Sequence, residues 1–100
     1  MPAPRRPYDL DVVPQWIVVL LARYGETTYR RLEAELAAIR GTPPAEVVEG
    51  LLKLEELALI ERTAATGLMV AERRFTLSAI GRKVRRYVPE EPRSPTIFYV

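Results

Sequence analysis

The sequence predicts an α+β, mainly α fold: a three-helix core, a two-stranded β hairpin and an additional C-terminal helix. Three observations carry this. Apolar residues recur at helical spacing in three successive segments before Ala58. From Ala58 the pattern turns β-branched, breaks at a Gly-containing loop and returns as an extended stretch. At Ser78 a hydroxyl residue then opens a basic helical segment. At 100 residues, the chain is one small domain with a single core.

The first helix starts at Asp11, an N-cap ahead of Val12 and Val13, with Pro14 in the first turn, where a missing N–H is tolerated. It runs to about Tyr24 with Val13, Ile17, Leu20, Leu21 and Tyr24 as its apolar stripe, Trp16 beside it and Gly25 as a left-handed stop. The second helix is capped by Thr27 or Thr28, buries Tyr29, Leu32, Leu36 and Ile39 and closes at Gly41. Thr42 is placed to cap a third helix, because Pro43 and Pro44 suit only a helix start. Val47, Leu51 and Leu54 form its buried face, with Val48 and Leu57 alongside. Two one-sided helices joined by a short turn around one glycine make a helix-turn-helix candidate.

"ALIERT" then reads as a strand, "AATG" as a loop and "LMVAERRFTL" as the return strand, with Phe75 and Leu77 on one face and Arg74 and Thr76 on the other. Ser78 caps "AIGRKVRRYV", which Pro89 ends. Residues 1–10, with three prolines, are expected to be a flexible arm, residues 11–88 the domain, and 89–100 a proline-interrupted tail. The apolar end "TIFYV" is suited to adding to a sheet edge, its own or a partner's, or, with Trp16 and the first helix, to forming a dimer contact.

Composition excludes several classes of function. No run approaches the ~20 apolar residues of a membrane span, and "MPAPRRPYDL" lacks the apolar stretch of a signal peptide, so a cytoplasmic protein without a membrane partner is expected. With no Cys and no His, disulfides, thiolate chemistry and the commonest metal ligands are gone, so neither metal nor cofactor is expected. A catalyst would have only carboxylates, Lys, Tyr, Ser78 and Ser94, and none of the five tyrosines has a paired base in sequence, so the chain is not read as an enzyme.

"LLKLEELALIER" at 51–62 and "RRFTLSAIGRKVRR" at 73–86 resemble the recognition-helix exit and the second wing strand with following helix of winged helix-turn-helix transcriptional regulators, the MarR-like and PadR-like families of bacteria and archaea. The resemblance implies a DNA-binding dimer whose wing follows the third helix. One residue departs from it: Ala58 stands where the family has a left-handed glycine, and its Cβ costs energy there. Gly81 fits on physical grounds alone, since a residue without a side chain lets the last helix approach the sheet closely.

Charge is divided along the chain. From Gly25 to Glu61 eight acids face four bases, whereas from Arg62 to Pro89 seven bases face one acid. The basic set, Arg62, Arg73, Arg74, Arg82, Lys83, Arg85 and Arg86, is the candidate grip on double-stranded DNA, because arginine's planar fork matches phosphate. Thr42 and Lys53 join it from the third helix, and Arg5 and Arg6 of the arm are suited to a minor groove. The outward face of the third helix, Glu46, Glu49, Lys53 and Glu56, is a poor reading head beside phosphates. It reads as a solvated face with a Glu49–Lys53 pair, or as a protein-contact surface, Glu46, Glu49 and Glu56, in an interaction module with little DNA binding.

Overall fold

A computed structural model describes residues 5–63 and 72–100, so the expected "AATG" loop and the first part of the return strand lie outside the described residues. The elements run β1 (Pro7–Leu10), α1 (Val12–Tyr24), β2 (Thr27–Thr28), α2 (Tyr29–Arg40), α3 (Pro44–Glu56), β3 (Ile60–Thr63), β4 (Arg74–Leu77), α4 (Ala79–Arg85) and β5 (Thr96–Tyr99). Among the described residues no helix is long and apolar enough to cross a membrane.

Asp11 caps α1, its Oδ1 accepting from the Val12 N–H at 2.7 Å. Burial extends around the whole helix from Val12 to Leu21 rather than along one stripe. The reason lies on its two sides. On one, Gly50 of α3 sits against Ile17 and Val13, so closely that a Cβ at that position would lie 2.9 Å from Ile17 Cδ1. On the other, the chain's own C-terminal segment crosses over: Gln15 Nε2 donates to Leu10 O at 2.9 Å and Ser94 O at 2.8 Å, and Trp16 Nε1 donates to Pro92 O at 3.0 Å. Trp16, expected at a dimer contact, is thus buried beneath its own chain.

Thr28 caps α2 and Leu32 and Leu36 are its buried residues, while Ile39, expected inside, is exposed in the last turn. Thr42 does not cap α3. The cap position belongs to Pro43, without a side-chain bond, and Thr42 is itself buried. Pro44 disfavours helical backbone for the residue before it, and Pro43 is accordingly extended at ψ 149°, so the helix starts one residue later than expected. Val47, Leu51 and Leu54 are buried as expected.

The sheet has three strands in the order β2-β4-β3, one more than expected. Ile60 pairs with Leu77 and Thr63 with Arg74, and Thr28 pairs with Arg74 from the other side. Phe75 and Leu77 point into the core, alternating with Arg74 and Thr76. Ala58 takes φ +58°, so the fold keeps the left-handed turn without glycine. Ser78 secures this corner twice: its hydroxyl donates to Ala58 O at 2.7 Å and accepts from the Gly81 N–H at 3.0 Å, capping α4. A Cβ on Gly81 would overlap the Leu59 carbonyl oxygen.

Residues 7–10, expected within the arm, form β1, which pairs antiparallel with β5; Tyr8 faces Phe98 across the pair, and both are buried. The apolar end of the chain therefore adds to a strand of the same chain. The pair continues to Arg6 and Val100, whose N–H groups donate to each other's carbonyls at 2.9 and 3.1 Å.

Candidate nucleic-acid interface

The short strand β2 decides which basic residues meet. It ends one residue before α2, and the Tyr29 N–H donates to Arg73 O at 2.8 Å. The start of α2, with exposed Arg30 and Arg31, is therefore held against the wing residues Arg73 and Arg74. Neither Arg30 nor Arg31 stood out in the sequence, because nothing local signals their place beside the wing. Arg31 stacks over the Tyr24 ring at 3.9 Å, which fixes its guanidinium at the surface.

The wing arginines differ in their partners. Arg62 Nη2 lies 3.2 Å from both carboxylate oxygens of Glu55, and Arg74 Nη1 lies 3.3 Å from Glu26. Each pair is exposed and worth under about 1 kcal/mol, so a phosphate can displace the carboxylate at small cost. Arg73 is half-buried and, among the described residues, has no acidic partner in ion-pair range.

The bases of α4 form a second group. Arg82 donates to Leu77 O at 3.2 Å, at the end of β4 opposite Arg74, so about 10 Å of strand separates the two groups. Lys83 and Arg86 are exposed. Arg85 is turned inward: it donates to Val88 O at 2.9 Å and pairs with Glu90, which ties the end of α4 to the C-terminal segment. Its side chain is only 22% exposed, leaving little of it to offer a ligand.

Glu46, Glu49, Lys53 and Glu56 of α3 are all exposed. Glu49 and Lys53, spaced for a helical ion pair, are not in ion-pair contact; both instead line an open cavity of about 620 Å³ between α3, β1 and the start of α1, with Asp9, Asp11 and Arg40. The outward row of α3 also carries two aliphatic side chains, Val48 and Leu52, 40% and 58% exposed. They border a narrow groove of about 70 Å³ whose other walls include Tyr29, Phe75, Arg62 and Arg73. Burial, followed by a hydrogen bond to Glu33 and its charge, raises the Tyr29 phenol above its ordinary pKa, so it stands in the groove wall as a neutral donor.

A scan of family models and a search of curated proteins gave no match. Among solved structures the chain is similar to ZitR of Lactococcus lactis, a double mutant in apo form, with 25% identity and a TM-score of 0.61. The match covers 75% of this chain and 52% of that one, so the chain spans about half the length of ZitR. With the order of elements above, this likeness makes the fold a winged helix-turn-helix.

Proposed function

We propose that the protein binds duplex DNA as a winged-helix transcriptional regulator, gripping the phosphate backbone with the start of α2 and the wing. The observation that carries this reading is the β2–β4 register, which holds Arg30 and Arg31 against Arg73 and Arg74 with Arg62 on the adjoining strand. Arg62 and Arg73 share one face of the wing, beside Phe75, and Arg74 lies on the other; with Arg30 and Arg31 they offer guanidiniums that match phosphates in charge and donor geometry. Lys83, Arg82 and Arg86 extend this surface toward a neighbouring stretch of backbone. A homodimer belongs to the same reading, with Ile97 and Tyr99, both about half exposed on the outer face of β5, as its contact.

The test is fluorescence anisotropy of a labelled random-sequence duplex titrated with protein at several salt concentrations. A log-log slope of about −3 to −6 is expected, equivalent to roughly four to six neutralised phosphates. Arg73→Ala with Arg74→Ala should flatten it by about 2. Absence of binding at low salt overturns the reading. Sedimentation equilibrium reports the dimer separately.

A further inference from the structure

The outward face of α3 presents a chemical puzzle if this is a DNA-binding surface. Most base-edge groups in the major groove are acceptors, which call for donors, yet exposed Ala45, Glu46, Val48, Glu49, Leu52, Lys53 and Glu56 offer one base, three carboxylates and three aliphatic groups. Leu52 is the most exposed aliphatic residue on the helix and Val48 lies one turn before it, so both sit on one ridge. The ridge borders a groove lined by Leu51 and Phe75, by Arg62 with its partner Glu55, and by Arg73, which has no acidic partner among the described residues.

A major groove holds one apolar group among its donors and acceptors, the thymine 5-methyl. We propose that Val48 and Leu52 read thymine methyls, so that the protein prefers duplexes presenting adjacent thymines to α3, while Arg62 and Arg73 hold the flanking phosphates. This rests on the DNA-binding reading above and assigns its base preference. The acidic residues then have a consistent place: Glu49, one turn before Leu52, can accept from an exocyclic amino group of cytosine. A protein segment is the other occupant an apolar ridge could take, but Arg73, without an acidic partner among the described residues, and Arg62, whose exposed pair with Glu55 a phosphate can displace, favour a polyanion.

The experiment compares two labelled duplexes of about 24 base pairs, roughly two helical turns, one of alternating dA·dT and one of alternating dA·dU. They carry the same charge and the same hydrogen-bonding groups and differ in the methyl. Covering one methyl is worth roughly four-fold in affinity, so the dA·dT duplex should bind about 4- to 10-fold more tightly. Leu52→Ala should lower the ratio, Leu52→Ala with Val48→Ala should bring it near one, and both should leave the salt slope unchanged. Since Leu52 is 58% and Val48 40% exposed, both variants keep their fold, which their helical circular dichroism checks. Equal, salt-dependent binding of both duplexes by the unaltered protein overturns methyl reading and leaves the phosphate grip standing. A preference that survives both Leu52→Ala and Val48→Ala also overturns it, assigning the preference to DNA shape. No binding of either duplex overturns the DNA reading, and this inference with it, and assigns the ridge to a protein partner.

Discussion

Ala58 and Gly81 lie on either side of the contact between the exit of α3 and the start of α4, and their substitutions are expected to act in opposite directions. Ala58 holds φ +58°, a conformation that costs a residue with a Cβ about 1–2 kcal/mol. Glycine removes that cost but frees the unfolded chain by about 0.4–1 kcal/mol. Ala58→Gly should therefore stabilise the protein by about 0.5–1 kcal/mol, read as a rise of roughly 3–6 °C in Tm. Gly81→Ala places a methyl on the Leu59 carbonyl, a backbone group that cannot swing aside. It should cost about 3 kcal/mol, measured by urea unfolding, because helix and strand must separate to admit it. The need for a bare Cα at 81 was legible in the sequence. At 58 the sequence raised the strain but left open whether the helix ends differently there, since periodicity carries no information about φ.

At the scale of elements, α1, α2 and α4 could be read directly because their signals are local: Asp11, Thr28 and Ser78 each accept the hydrogen bond expected of a cap. The start of α3 was misread by one position because Pro44 holds Pro43 in extended backbone, which moves the cap from Thr42 to Pro43. β1 and β2 were not readable at all. "PYDL" carries Pro and Asp, which disfavour strands, and "TT" is too short to show an alternation, so each is a strand only because a distant segment supplies its hydrogen bonds. A two-stranded ribbon is marginal by itself, so β1 and β5 depend on Tyr8, Leu10 and Phe98 facing α1. Phe98→Ala should cost about 3 kcal/mol in urea unfolding, and should release the Trp16 indole from Pro92, visible as a red shift in its fluorescence.

For the whole molecule, the segregation of charge could be counted from the sequence, but its arrangement depended on the β2–β4 register, which added Arg30 and Arg31 and set α4 apart. The two basic groups should therefore contribute unequally to DNA binding. Replacing Arg30, Arg73 and Arg74 by alanine is expected to flatten the salt slope by nearly 3, whereas replacing Arg82, Lys83 and Arg86 should change it by 1 or less, both read from anisotropy titrations. Equal effects would mean one continuous grip. The β1–β5 ribbon has a consequence in time as well as in space. It joins the two ends of the described chain, so closing it confines nearly the whole polypeptide into a single loop, the most entropically demanding closure the fold makes. Such contacts form after the folding barrier is crossed. Stopped-flow measurements should then find that Phe98→Ala accelerates unfolding while refolding keeps its rate, so the ribbon acts as a latch that governs how long the native protein lasts rather than how quickly it is reached.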